Sequence, residues 1–96
     1  MSIAPPAGVA SVDVWEADDP QPYRLIFGAT REIADGTAWV STSAVQWADG
    51  SIDTDGRIEE PHIAVVDNND LLSSKQAREL AAALLEAADE LDEWAR

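Results

Sequence analysis

From Lys75 to Arg96 the sequence has neither glycine nor proline and repeats apolar residues at a helical period. That segment decides most of what the chain can become. Every residue in it is a good or tolerable helix former. Ala77, Leu84 and Leu91 share one apolar heptad position and Leu80, Ala87 and Trp94 the next, flanked by Ala81, Ala88 and Ala95. The stripe is about 100° wide, as expected of a helix that lays one face on a sheet and keeps the other wet. At ~1.5 Å per residue the helix runs roughly 33 Å. Leu80, Leu84 and Leu91 would each contribute on the order of 1.5–3 kcal/mol if fully buried. Ser73 stands at the N-cap with Gln76 three residues later, a capping-box spacing, and Leu72 precedes it.

Such a helix needs a surface to cover, and the preceding residues read as strands. Val12 and Val14 alternate with Ser11, Asp13 and Trp15 until Asp18-Asp19-Pro20-Gln21-Pro22 breaks the run. Tyr23, Leu25 and Phe27 share one side of a second strand, which Gly28 ends or bulges. Asp35-Gly36 is a hairpin signal. It leads into Thr37–Trp47, where Trp39, Ser41, Ser43, Val45 and Trp47 share one parity. Asp49-Gly50 and Asp55-Gly56 are further turns, and Pro61 suits the start or edge position of an apolar strand over His62–Val66. The expected fold is therefore α+β: an antiparallel β-sheet of about four strands followed by one long C-terminal amphipathic helix packed on one face. Residues 1–8, with Pro5, Pro6 and Gly8, are expected to form a flexible N-terminal arm. Residues 9–96 form a single domain, with a β meander over 9–70 and the helix over 73–96.

Ninety-six residues suffice for one hydrophobic core and not two. Half-exposed elements of so small a domain commonly meet a second copy, so a homodimer is the expected state. Nineteen acidic residues against six Lys and Arg give a formal net charge of −13. Six scattered cations cannot neutralise a run of phosphates, which argues against direct nucleic-acid binding and against anionic membrane surfaces. A basic protein is the partner such a charge favours. No apolar run is long enough to span a bilayer. The N-terminus has neither the basic nor the apolar region of a signal peptide, so a cytoplasmic location is expected.

The chemistry-bearing residues are few. With no cysteine, disulfides, thiolate metal sites and cysteine nucleophiles drop out. His62 is the only histidine, and the sequence places no acid or nucleophile beside it. Ser51–Gly56 resembles part of a calcium loop, but the positions for the first and last ligands hold Ser51 and His62. Adjacent carboxylates such as Asp89-Glu90 and Asp92-Glu93 point to different faces of a helix and make no dyad. No phosphate loop, dinucleotide fingerprint or nucleophile elbow occurs. No catalytic residue, cofactor or metal is expected, and the chain is read as a non-enzyme.

Two surfaces remain as binding candidates. Trp39 and Trp47 have strand parity and Trp94 lies on the helix stripe, which core packing explains, whereas Trp15 faces away from Val12 and Val14. Aromatics are enriched at interfaces, and Trp15, Trp39 and Trp94 are the candidate contact residues. The polar side of the helix carries Glu79, Glu86, Asp89, Glu90 and Glu93, a carboxylate array that runs against the macrodipole and that only Arg96 answers. Two functions follow: a small acidic, non-catalytic protein-interaction module, homodimeric; or an acidic DNA mimic or inhibitor that occupies the groove of a basic nucleic-acid-binding partner.

The stretch Leu71-Leu72-Ser73-Ser74-Lys75-Gln76-Ala77-Arg78-Glu79-Leu80, continuing through Ala87-Ala88-Asp89-Glu90-Leu91-Asp92, resembles the end of small uncharacterised proteins of actinobacteria and their mycobacteriophages. The Asp49-Gly50 turn and Pro61-His62-Ile63 fit the same pattern, so the likeness covers about half the chain. Ser73 replaces a more usual threonine there, with no physical consequence, because both cap helices. The resemblance implies an actinobacterial or phage origin and no known activity.

Overall fold

A computed structural model describes residues 3–17, 21–33, 36–67 and 71–96. Five strands precede one helix: β1 (Val9–Val12), β2 (Tyr23–Gly28), β3 (Arg31–Ile33), β4 (Ala38–Trp47), β5 (His62–Asp67) and α1 (Ser74–Trp94). All pairings are antiparallel, and β4 organises them. Residues 38–40 of β4 pair with both β3 and β5, so those two strands take opposite edges. Ser43 pairs with both Phe27 and His62, so β2 and β5 do likewise. Thus β2 and β3 lie end to end along one edge of β4, with β1 beyond β2, and β5 alone on the other edge. The meander read from the sequence is present, with its second strand broken at Ala29-Thr30.

Alternation along β4 separates two faces. Ala38, Val40, Thr42 and Ala44 turn toward α1, and their small side chains let the helix lie close. Ile33, Ala38 and Val40 pack with Ala83 and Ala87, while Ile26 and Ala44 pack with Leu91 and Trp94. Leu80, Leu84 and Ile63 complete this layer as partly buried residues. On the opposite face Tyr23 meets Trp47 edge to face, ring centroids 6.1 Å apart.

Helix α1 starts where the sequence places it. The Ser73 side chain accepts from the Gln76 N–H and Gln76 reaches back to the Ser73 N–H at 2.9 Å, a complete capping box. Such a cap contributes about 1 kcal/mol. No basic residue occupies the last turn.

Three features differ from expectation. Residues 3–8 are tied to the domain rather than loose: the carbonyls of Ile3, Ala4 and Ala7 accept from Arg24, Gln46 and Trp94. Those side chains need acceptors because they are buried, and the proline-rich segment offers free carbonyls. The first strand ends at Val12, short of the alternation expected through Trp15, and beyond it Glu16 makes an isolated bridge to Tyr23. Finally, β3 is a separate strand. Gly28 closes β2 where a Cβ would run into both the Glu90 carboxylate and the Thr42 hydroxyl.

Candidate interaction surface

The three candidate tryptophans have different fates. Trp94 is 4% exposed and donates from Nε1 to the Ala7 carbonyl, so the intramolecular core uses it and no partner can reach it. It is corrected from an interface residue to a core residue, because residues 3–8 close over the end of α1. Trp15 is exposed, with the Arg24 guanidinium 4.5 Å from its ring centroid. This cation–π contact holds the ring against the domain. Trp39 is half-buried on the sheet face away from α1. The three do not form one patch.

The acidic side of α1 is partly consumed. Glu90 accepts from Thr42 Oγ1 at 2.7 Å and pairs with Arg31 Nη2 at 3.3 Å, under the helix. Glu86 meets Arg31 Nε at 3.5 Å, and Glu93 meets Arg96 at 3.0 Å. Glu79 is half-buried, and Asp89 is exposed. Nothing in the sequence pairs residue 90 with residues 31 and 42. Only the sheet register brings them together.

A polar group that sequence reading did not assemble surrounds His62. Glu59 Oε1 lies 2.7 Å from Nδ1, and Ser43 Oγ lies 2.8 Å from Nε2 and 3.4 Å from Nδ1. Base activation of a serine needs its hydroxyl on the Nε2 lone-pair axis. On that axis it would point away from Nδ1 across the ring. Being close to both nitrogens, Ser43 Oγ sits beside the ring instead. The arrangement is a cross-strand polar contact between the paired residues Ser43 and His62.

The neighbouring loop is organised by Asp53. Its carboxylate accepts from the backbone N–H groups of Gly56 and Arg57 on one oxygen and Ile58 and Glu59 on the other, at 2.8–3.1 Å. Burial pushes the Asp53 carboxyl up, but the four hydrogen bonds outweigh it and hold the group below the usual aspartate range. Asp49 is lowered too, by hydrogen bonds from the Ser51 hydroxyl and N–H. The loop that resembles part of a calcium site thus uses its central carboxylate to fold itself. Among the described residues no group of three or more His, Asp or Glu is placed to hold a metal ion.

The remaining surface is the β5 side of the molecule. One edge of β5 pairs with β4, and the other meets no strand among the described residues. Val65 and Val66, which point to opposite faces, are 46% and 54% exposed. Beside β5 runs a flank of α1 that carries no charge over Ala77, Ala81, Leu84, Leu85 and Ala88. Leu85 is 69% exposed. Between strand and helix lies a groove of about 410 Å³ whose walls are apolar at Pro61, Ile63, Ala88, Leu91 and Ala95 and polar at Thr54, His62 and Asp92. One sequence signal pointed here: Pro61 suits the start of a strand or a sheet edge.

Among the described residues no helix is long and apolar enough to cross a membrane. No protein-family model, curated protein or solved structure matches the chain.

Proposed function

We propose that the chain is a small acidic, non-catalytic protein-interaction module that self-associates. The observation that carries this reading is the β5 edge that meets no strand among the described residues, with Val65 and Val66 exposed on its two faces. An unpaired apolar edge strand is a ready template for another strand. Natural domains usually blunt such edges with lysine, proline or a bulge. Here Pro61 and Asp67 stand at the two ends of β5, and the run Ile63-Ala64-Val65-Val66 between them carries none of these.

The chemistry of the molecule supports the same reading. Ser43 lies off the His62 lone-pair axis, and the loop amides nearest His62 already serve Asp53. A mimic of DNA phosphates needs regularly spaced free carboxylates. Glu86, Glu90 and Glu93 instead have cationic partners within the chain. The net charge of −13 serves solubility and discourages contact with nucleic acid.

Sedimentation equilibrium over a range of protein concentrations tests the proposal. The weight-average mass is expected to rise from one chain toward two. A mass fixed at one chain across the whole range would contradict it.

A further inference from the structure

We infer that the β5 edge takes a second copy of this chain, related by a twofold axis perpendicular to the sheet. The two sheets then become one, and the two α1 helices lie side by side on the same face. This rests on the self-association reading above and adds to it the surface, the partner and the symmetry.

Val65 and Val66 are exposed on opposite faces of one strand, so a lid over either face leaves the other valine wet. A strand added along the edge shields both, while also giving partners to the outward backbone of Ile63 to Val66, which meets no strand among the described residues. An isolated peptide strand would still leave the uncharged α1 flank of Ala77, Ala81, Leu84, Leu85 and Ala88 in water. A second copy brings a strand and such a flank in one rigid unit. The perpendicular twofold makes the two β5 strands antiparallel and keeps both helices on one side, flank toward flank.

The symmetry also restricts register. Residues facing each other across the axis must share a face, so the pairing centres on a residue rather than between two. Centring on Ala64 sets Ile63 against the partner's Val65 and sends Asp67 toward the partner's Pro61. The two Asp67 carboxylates are then far apart. Charge selects the same surface. Two chains of −13 repel, and on the β5 side α1 presents alanine and leucine from Ala77 to Ala88, with Asp92 the acid that faces the groove beyond them. Screening should therefore tighten the dimer, the opposite of what a complex with a basic partner would show.

Sedimentation equilibrium of Val65→Lys, Leu85→Lys and Trp15→Ala, each first checked for native circular dichroism, tests this. Val65→Lys places a cation at the buried centre and is expected to weaken the dimer at least about tenfold. Leu85→Lys changes a side chain that the lone domain leaves exposed, so it keeps the test valid if Val65→Lys does not fold. It is expected to weaken the dimer several-fold. Trp15→Ala should leave the dimer unchanged, and raising salt from about 50 to about 500 mM should tighten the wild-type dimer. If a dimer persists in both lysine variants, or weakens with salt, the inference is wrong and self-association itself stands. A monomer at every concentration overturns both.

Discussion

Replacing Trp94 by alanine is expected to remove about 3–5 kcal/mol of folding stability. Thermal or denaturant unfolding, monitored by fluorescence and circular dichroism, measures it. The side chain is buried against Ile26, Ala44 and Leu91 at the C-terminal end of α1, and its indole N–H is satisfied by the Ala7 carbonyl. The substitution opens a cavity that neighbouring residues cannot fill, and it also frees residues 3–8 from one of their three tethers. A domain of this size holds only about 5–15 kcal/mol in total. The midpoint should fall by at least about 12 °C, at roughly 4 °C or more per kcal/mol. Trp15→Ala should cost far less, because Trp15 is 38% exposed, against 4% for Trp94, and loses mainly its stacking on Arg24. A loss below about 1 kcal/mol at Trp94 would mean that its burial, and the docking of the N-terminal segment, are misassigned.

Asp53→Ala is expected to be the second most damaging change, at about 3 kcal/mol. Hydrogen bonds to a charged group contribute about 1.5–3 kcal/mol each when buried. Four N–H groups lose their acceptor together, but water reaching the exposed loop recovers part of the loss. The same carboxylate makes stability pH-dependent. Its pKa is lower in the folded chain than in the unfolded one, so between the two values the unfolded state binds more protons. The Asp53 contribution is therefore complete above the ordinary aspartate value of about 4 and disappears as pH falls through the lower folded value. Melting temperatures from pH 7 down to pH 3 should drop more steeply for the wild type than for Asp53→Asn. Parallel curves would show that the loop does not depend on the charge.

What the sequence disclosed and what it withheld follow from the range of the interactions. Ser73 with Gln76, and the period of Leu80, Leu84, Ala87 and Leu91, are signals contained within one or two helical turns. The helix was therefore legible to within a residue or two at each end. The alternation from Thr37 to Trp47 likewise revealed the strand that proves central, and Pro61 fitted the start or edge position of its neighbour. Glu90 could not be read the same way. On a helical wheel it is one more acid beside Glu86 and Asp89, and only the register of β2 on β4 sets Gly28 and Thr42 beneath it. Trp94 posed the opposite difficulty, since its place on the apolar stripe fits both core and interface. The carbonyls of a segment nearly ninety residues away along the chain decide between them. Asp53 looked like an incomplete metal ligand set, because the N–H groups it binds have no signature in side-chain sequence.

Amide hydrogen exchange in β5, measured below and above the concentration at which the chain associates, addresses the joining of two copies most directly. Amides of Ile63, Ala64, Val65 and Val66 that point away from β4 should exchange quickly in the lone chain and slow markedly in the dimer. Amides of β1, at the far edge of the sheet, should keep the same rates. Equal β5 rates in both states, with slowing at β1 or around Trp39 instead, would place the contact elsewhere and contradict the account.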